Sequence, residues 1–146
     1  MTAMEPEQLT SNDYDEILGL WRDCPGMGLS GADSRENLER FLGRNPGLNW
    51  VCREKGRVVA TALCGHDGRR GYLYHVAVAP AWRGRGLGRR LVRRCLAQLA
   101  REGIEKCHLF VFQDNSVGRE FWDALGWTLR NDLAVFSRDL PAGDPP

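Results

Sequence analysis

The sequence predicts an α+β fold built on one mixed, mostly antiparallel sheet that is flanked by helices. Apolar, β-branched runs follow one another in the middle of the chain and are separated by tight-turn residues, which is typical of an antiparallel meander. A glycine-rich turn, a long amphipathic segment and a further apolar run come next. This second pattern is a β-α-β crossover, which adds a parallel pair of strands and excludes a doubly wound fold.

The first third of the chain predicts a short strand at Glu7–Leu9 and two helices. Ser11 or Asn12 is the expected cap of the first helix, whose apolar residues recur at helical spacing. Asp33 is the expected cap of the second helix, because Glu36 follows it at the spacing of a capping box.

Three strands are predicted in the middle of the chain, at Asn49–Arg53, Arg57–Leu63 and Gly71–Val78. Each of these runs is apolar and rich in β-branched residues. Lys55-Gly56 predicts a tight hairpin turn between the first two strands, and Asp67-Gly68 predicts the turn before the third. The three strands therefore form an antiparallel meander.

The last third predicts a helix over Leu87–Glu102, because apolar residues form a stripe along it and a glycine follows it. Cys107–Phe112 reads as a buried strand, and Ser116–Leu125 reads as a short helix that ends at a glycine. Trp127–Arg130 and Leu133–Ser137 are expected to pair as a final hairpin.

The length of 146 residues predicts one domain, over residues 1–140, followed by a disordered tail at 141–146. The five cysteines are odd in number and form no C-x-x-C pair, which argues against a disulfide framework and a structural zinc site. No apolar run is long enough for a membrane span, and the first residues do not read as a signal peptide. We therefore expect a cytoplasmic protein, either a monomer or a homodimer whose C-terminal strands pair.

The charge is unevenly distributed along the chain. Nine arginines and no acidic residue lie between Gly68 and Arg101, although the net charge is only +1. Such a run usually forms a solvated surface. Here it surrounds a glycine-rich loop, which favours a polyanionic small ligand, whereas the near-zero total charge argues against a nucleic-acid partner.

The glycine-rich loop follows the apolar run that ends at Val78. Gly84, Gly86 and Gly88 alternate in it, and an amphipathic helix begins at once. A strand, a glycine turn and a helix N-terminus in this order point several backbone N–H groups outward, where the helix dipole also favours negative charge. The loop is therefore predicted to bind a phosphate or a pyrophosphate.

Two motifs resemble those of the GNAT N-acetyltransferase superfamily. Arg83-x-x-Gly86-x-Gly88 is similar to the acetyl-CoA motif of that family, Gln/Arg-x-x-Gly-x-Gly/Ala. Asn115–Trp127 is similar to its second motif, Asn-x-x-Ala-x-x-Phe-Tyr-x-x-x-Gly-Phe. The resemblance covers roughly residues 57–136, and the predicted order of elements agrees with it.

The resemblance implies a GNAT-like sheet with a β-α-β acetyl-CoA-binding core. It implies transfer of an acetyl group from acetyl-CoA to a primary amine of a small molecule, peptide or protein in a ternary complex, without a metal. The residues that would bind acetyl-CoA are Val76, Ala77, Val78, Arg83, Gly84, Arg85, Gly86, Leu87, Gly88, Arg89, Asn115 and Trp122. The loop would hold the pyrophosphate, and the valine strand would pair with the pantetheine amides like an added strand.

The catalytic positions depart from the family pattern. Trp122 stands where many relatives have a tyrosine that protonates the leaving thiolate, and an indole N–H is not a useful acid. Tyr72 stands where one branch of the family has a glutamate that acts as the general base and another branch has a tyrosine. In that second branch the tyrosine is paired with a histidine. The position of this histidine is occupied by Phe110 here, and His108 lies two residues earlier. We expect Tyr72 to order the water that takes the amine proton.

Other polar residues are weaker candidates. Strand alternation puts His75 on the face opposite Tyr72, which favours a packing role, and His66 is expected to be exposed at a turn. Asp33 and Glu36 are expected to cap the second helix, although they could instead hold a cationic amine.

Two other functions are compatible with parts of the sequence. Because of the departures at Tyr72 and Trp122, the chain could be a catalytically weak CoA-binding sensor or scaffold. A Rossmann-type dinucleotide module is disfavoured, because its third glycine is Arg89 here and the loop follows a meander. Trp21, Met27 and Phe41 are expected to pack in the core, with an apolar acceptor pocket as the alternative.

Overall fold

The computed structural model describes residues 4–142, which form two compact units that meet in sequence between Asn115 and Ser116. The strands are β1 (Glu7–Gln8), β2 (Trp50–Glu54), β3 (Arg57–His66), β4 (Gly71–Val78) and β5 (Cys107–His108). The helices are α1 (Tyr14–Arg22), α2 (Arg35–Arg44) and α3 (Leu87–Arg101) in the first unit and α4 (Ser116–Ala124) in the second. The predicted tail extends to residues 143–146, which lie outside the described residues, while residues 141 and 142 have no regular secondary structure.

The first unit contains a five-stranded sheet in the order β1-β2-β3-β4-β5. The first four strands pair antiparallel, and β5 pairs parallel with β4. This arrangement confirms the predicted mixed α+β sheet. Lys55 (φ 50°) and Gly56 (φ 80°) form the predicted two-residue hairpin turn with the positive φ angles that a type I′ turn requires.

A β-bulge interrupts the pairing of β3 with β4. Ala77 pairs with Thr61 and Tyr74 pairs with Leu63, so that His75 and Val76 stand opposite a single residue of β3. The extra residue reverses the alternation of side chains along β4. Tyr74 and Ala77 therefore share one face of the sheet, although they are three residues apart.

The sheet is covered on both faces. On one face α1 and α2 bury Ile17, Trp21 and Leu38 against Leu63 and Ala77. On the other face α3 packs on β2, β3 and β4. The buried side chains of α3 include the predicted stripe and are Leu87, Leu91, Val92, Cys95 and Leu99. Burial of these stripes is the main source of stability, because an isolated helix of this length is marginal in water.

The predicted caps of the first two helices were wrong by a few residues. Ser34, and not Asp33, caps α2, since its side chain accepts a hydrogen bond from the N–H of Asn37 at 3.2 Å. Before α1, a 3₁₀ turn over Ser11–Asp13 intervenes, and Asp13 accepts a hydrogen bond from the N–H of Thr10 at 3.0 Å. In both places the chain makes a 3₁₀ turn that the helical periodicity does not signal.

Two predicted β segments were also wrong in extent. The strand predicted over Cys107–Phe112 is limited to Cys107 and His108, and the side chain of Phe110 is 62% exposed. The hairpin predicted over residues 127–137 contains no strand in the described part of the second unit, where Phe136 is 96% exposed. Apolar alternation alone does not form a strand, because a ladder needs a partner and two isolated strands are marginal.

Candidate functional site

The glycine loop links the end of β4 to the start of α3. A 3₁₀ turn over Pro80–Trp82 leads into Gly84 (φ 77°) and Gly86 (φ 80°), both in the left-handed region that favours glycine. Gly86 is the N-cap residue of α3, and its carbonyl accepts the first helical hydrogen bond from Arg90 at 3.0 Å. The amides of the first helical turn have no intrahelical acceptor, so that they are available to an anion.

The arginines near this loop fall into two groups. Arg83 donates from Nε to the carbonyl of Val78 at 3.1 Å, and the guanidinium of Arg85 lies 4.4 Å from the ring centroid of Trp82. Both side chains are therefore held against the loop itself. Arg89 is exposed in the first turn of α3. It is part of an open groove of about 490 Å³ along α3, which is lined by Gly86, Arg89, Arg90, Arg93, Arg94, Ala97 and Arg101.

The second half of β4 has an unpaired edge in the described structure. Pairing with β5 is limited to Gly71 with Cys107 and Tyr72 with His108. The backbone of Val76–Val78 lies beyond the last of these pairs. The family resemblance implies that this stretch would pair with the pantetheine arm. The side chain of Ala77 is buried against α1 and α2, whereas Val76 and Val78 are half-buried.

Asn115 and Trp122, the two positions of the second motif, lie in different units. The side chain of Asn115 contacts the loop at Gly26, where an added Cβ would lie 2.7 Å from its amide nitrogen. Trp122 lies in α4, where its ring packs edge-on against Phe121 at 4.9 Å and Trp127 at 5.1 Å between centroids. Asn115 belongs to the first unit and Trp122 to the second.

A cavity of about 710 Å³ lies in the first unit, where α2 and the loop before it face β3 and β4. A volume of this size is in the range of small-molecule sites. Its aromatic and ionisable lining residues are Asp33, Arg40, Phe41, Arg44, His66, Asp67, Tyr72, Tyr74 and His75. The cavity therefore combines aromatic walls with charged groups of both signs.

Tyr72 stands in a row of aromatic side chains on the cavity wall. Its ring lies 6.4 Å from that of Tyr74, 5.7 Å from His108 and 6.3 Å from Phe110. Tyr74 contacts Phe41 edge-on at 6.0 Å, and burial, together with the neighbouring Tyr72, raises the pKa of the Tyr74 phenol. Tyr72, His108 and Phe110 thus lie close to one another.

His75 does not lie on the face opposite Tyr72, and that expectation was wrong. Its ring packs against Trp21 of α1 at 4.5 Å, and it lines the same cavity as Tyr72 and Tyr74. The bulge at His75 and Val76 breaks the strict alternation on which the expectation relied, and His75 itself has a φ of 46°.

Asp33 is part of the cavity and not a cap of α2. Its Oδ1 lies 2.8 Å from Nε2 of His75, and its Oδ2 accepts a hydrogen bond from the N–H of Ser30 at 3.0 Å. The hydroxyl of Tyr14 donates to the Asp33 carbonyl at 2.7 Å. Glu36, the other acid of the predicted capping box, is exposed in the first turn of α2 and does not line the cavity.

The sequence analysis expected His66 to be exposed at a turn, but in the structure both of its ring nitrogens have partners. Its Nε2 lies 3.0 Å from a carboxylate oxygen of Glu102, and its Nδ1 accepts a hydrogen bond from the N–H of Gly68 at 3.0 Å. The bond to His66 holds the pKa of the Glu102 carboxyl below its usual value. His66 thereby ties the end of β3 to the end of α3.

The cavity residues that the sequence analysis missed include Arg40, Arg44 and Asn45. Arg40 and Arg44 are one turn apart on α2, which puts them on one face of the helix. Asn45 donates to the carbonyl of Phe41 at 3.1 Å and accepts from the N–H of His66 at 3.1 Å. The i, i+4 spacing of the two arginines was a usable signal, whereas the buried bonds of Asn45 were not visible in the sequence.

The three apolar candidates have different environments. Trp21 is fully buried in the core, and Met27 packs against the same core. Phe41 also packs there but contributes to the cavity wall as well. Core packing, the expected role, therefore describes Trp21 and Met27, whereas Phe41 combines both roles.

The described residues hold no group of three or more His, Cys, Asp or Glu side chains that could bind a metal ion. Within residues 4–142, none of the helices has the length and apolar character that crossing a membrane would need.

Comparison with known proteins agrees with this geometry. The protein named acetyltransferase plu1384 of Photorhabdus laumondii is 33% identical over 138 residues, 94% of this chain and 96% of its own. The structure of PaiA N-acetyltransferase from Thermoplasma acidophilum with coenzyme A is similar with a TM-score of 0.77 at 17% identity, covering 89% of this chain and 92% of that one. An aminoglycoside 6′-N-acetyltransferase from Acinetobacter haemolyticus has a TM-score of 0.76 at 16% identity and covers 94% of this chain and all of its own.

The family comparison covers both motifs. Residues 14–127 match the model of the acetyltransferase (GNAT) family, a span that includes the glycine loop, the cavity-lining strands and α4. With a family match over residues 14–127, a relative that covers 94% of its length, a mixed sheet and left-handed glycines before α3, this chain belongs to the GNAT acetyltransferase family.

Proposed function

We propose that the chain transfers an acetyl group from acetyl-CoA directly to a primary amine, with both substrates bound at once. The observation that carries this proposal is the arrangement around the second half of β4. Its last residues lead into the glycine loop, its edge beyond Tyr72 is unpaired in the described structure, and its His75 lines the 710 Å³ cavity. A donor on the loop and the edge would therefore meet an acceptor in the cavity.

On the donor side, the pyrophosphate would accept hydrogen bonds from the backbone of the loop at residues 83–89. Gly84 and Gly86 allow the backbone to approach the phosphates, because an added Cβ at either glycine would meet no described atom within 4 Å and would project into open space. Arg83, Arg85 and Arg89 would add charge-assisted hydrogen bonds. Leu87 and Gly88 contribute the first amides of α3.

The pantetheine arm would lie along the unpaired edge of β4. Its amides would pair with the backbone of Val76–Val78 as an additional strand does, and one N–H of this stretch would polarise the thioester carbonyl. Asn115 and Trp122 are proposed to contact the same arm, as the second motif of the family implies.

In the cavity, the uncharged amine would attack the thioester carbon, and the C–S bond would break to release the CoA thiolate. Tyr72 is proposed to order the water that receives the amine proton, since its ring lies on the cavity wall between Tyr74 and Phe110. Thiolate is an adequate leaving group near neutral pH, so that Trp122 need not supply a proton. The acceptor would be a small molecule or the end of a peptide or protein, which the cavity volume accommodates.

The test combines binding and turnover on nucleotide-free protein. Isothermal titration with acetyl-CoA should show one site per chain, and an amine and peptide panel should release CoA thiol and yield an acetylated product by mass spectrometry. Failure to bind acetyl-CoA would contradict the donor site. Tight CoA binding without turnover of any acceptor would contradict the transferase and leave a CoA-binding sensor.

A further inference from the structure

His75 has a backbone conformation that β-strands do not normally contain. Among the described residues other than glycine, positive φ angles occur at Lys55, in the hairpin turn, and at His75, in the middle of β4. A left-handed conformation is sterically unfavourable for a residue with a Cβ. Such a residue persists only where its surroundings fix it, and it is found preferentially at functional sites.

The surroundings of His75 fix both its backbone and its ring. The hydroxyl of Thr61 donates to the His75 carbonyl at 2.9 Å and accepts from Nε1 of Trp21 at 2.9 Å. The Trp21 ring packs against the imidazole at 4.5 Å. Asp33 closes the arrangement at Nε2, and the two side chains are only 14% and 10% exposed.

The pairing with Asp33 determines which nitrogen of His75 is free to accept a proton. A carboxylate at 2.8 Å from Nε2 requires the hydrogen on Nε2, which leaves the lone pair of the neutral ring on Nδ1. In the described part of the chain, the side-chain hydrogen bond of the His75 ring is made at Nε2. The same carboxylate stabilises the positive charge that the ring acquires when Nδ1 takes a proton.

The groups that face His75 come from three elements. Asp33 faces it from the turn before α2, Trp21 from α1 and Thr61 from β3, while Tyr14 reaches the backbone of Asp33. The other titratable or charged side chains around the cavity are Tyr72, Tyr74, His66, Asp67, Arg40 and Arg44. Of these, His66 is bound to Glu102, and a carboxylate oxygen of Asp67 accepts from the N–H groups of Arg69 and Arg70. Asp33 is therefore the carboxylate that acts directly on the imidazole.

We propose that His75, oriented by Asp33, accepts the proton that the acceptor amine loses as it is acetylated. This role rests on the proposed function, because His75 precedes Val76, where the backbone is proposed to receive the thioester arm. The amine nitrogen forms a bond to the acetyl carbon, the C–S bond breaks, and its electron pair leaves on the CoA sulfur. Nδ1 takes one proton from the amine nitrogen, directly or through the water beside Tyr72, and later releases it to solvent, from which the thiolate is protonated.

The experiment compares His75→Gln and Asp33→Asn with Asp13→Asn. Asp13 is a matched control for Asp33, because it is also a buried carboxylate whose Oδ2 accepts a backbone N–H at 3.0 Å, but it does not line the cavity. For each protein we would measure thermal unfolding, acetyl-CoA affinity, and kcat between pH 6 and 9 with the best acceptor of the panel. The ratio of wild-type to variant kcat at each pH cancels the ionisation of the acceptor itself.

A base works when it is unprotonated, so the ratio for His75→Gln should rise with pH from 6 and level off at about 100-fold or more. Asp33→Asn should lower kcat less, and Asp13→Asn should leave it within about twofold, with acetyl-CoA affinity unchanged in all three. A lowered melting temperature with a ratio that is flat across pH would assign His75 a structural role and overturn the proposal. A wild-type protein that turns over no acceptor would overturn the proposed function and this role with it.

Discussion

Tyr72 shows how one residue acquires a role from its neighbours. The phenol lies in a row with Tyr74, His108 and Phe110, so that its ring has a fixed orientation on the cavity wall. A phenol ordinarily titrates well above neutral pH, which suits it to ordering a water and not to taking a proton itself. Beside it, His75 paired with Asp33 is the proposed proton acceptor.

Tyr72→Phe should therefore lower kcat about tenfold, which is less than the loss expected for removing a general base. The ring and its stacking are retained, so that acetyl-CoA affinity and thermal stability should not change. Steady-state kinetics with the best acceptor would measure the effect. An unchanged kcat would remove Tyr72 from the proton route.

Gly65 is a second residue whose neighbours decide the outcome of a substitution. An added Cβ would lie 2.8 Å from the amide nitrogen of Asn45, whose buried side chain bonds to Phe41 and His66. Gly65→Ala should therefore lower the free energy of unfolding by about 1–3 kcal/mol, because those bonds must break or shift. Gly43→Ala, on the nearby helix α2 with open space around it, should instead stabilise by about 0.5–1 kcal/mol, and denaturant titrations would compare the two.

Among the elements, the junction of β4 with α3 carries the proposed donor site, and its geometry depends on backbone conformation. Gly86 begins α3 at φ 80°, and Gly103 follows its last turn at φ 85°. Both positions would strain an L-residue to a similar degree, and an added Cβ meets no protein atom within 4 Å at either one. Comparing substitutions at the two glycines therefore separates the effect of backbone strain from the effect of contact with the ligand.

Gly86→Ala and Gly103→Ala should each lower the free energy of unfolding by about 1–2 kcal/mol. Only Gly86→Ala should also weaken acetyl-CoA binding, by about tenfold or more, because its methyl group would occupy the space above the loop amides. Isothermal titration on both variants would measure this difference. Equal affinities would show that the pyrophosphate does not lie on this loop.

At the scale of the whole molecule, the arginine surplus has more than one use. Arg90 donates to the carbonyl of Met4 at 2.6 Å, and Arg94 pairs with Glu5 at 3.7 Å and lies over the ring of Trp50. These two arginines hold the segment before β1, whereas Arg83, Arg85 and Arg89 surround the glycine loop. Arg90 and Arg94 therefore have a structural role, and their side chains are less available to a ligand than those of the arginines around the loop.

The cysteines are also arranged on the scale of the whole fold. Burial raises the pKa of Cys52 to about 11 and that of Cys107 to about 12, and the bond to Cys95 together with burial raises that of Cys64 further. A raised pKa reduces the thiolate fraction at any pH below it, so that these thiols should react slowly at pH 8. Cys24 and Cys95 are buried as well.

Native protein should therefore react with a disulfide reagent such as DTNB at least about tenfold more slowly than protein unfolded in guanidinium, where all five thiols are accessible. The rate for the native protein should increase with pH. Fast labelling of the native protein at pH 8 would contradict the packing described for Cys52, Cys64 and Cys107. The slow reaction would also let the same reagent report CoA release in the turnover assay.

Agreement between sequence and structure follows the range of the interactions involved. The limits of β4 were predicted to the residue and those of α3 to within one, because their periodicity and flanking glycines are local signals. The final hairpin was wrong because its apolar alternation required a partner strand, which a local pattern does not supply. His75 was assigned to the wrong face for a similar reason, since a bulge depends on the neighbouring strand.

Local signals in the sequence were enough to predict the α+β class, the order of elements through α4 and the glycine loop, because helical spacing, turn residues and glycine positions act over a few residues. The shared cavity of His75 and Tyr72, and the bond from Asp33 to the His75 ring 42 residues away, could be seen only in the folded chain. The same is true of the division between arginines that hold the chain and arginines that surround the loop. These assignments depend on contacts between segments far apart in sequence, which form only when the sheet and its helices pack.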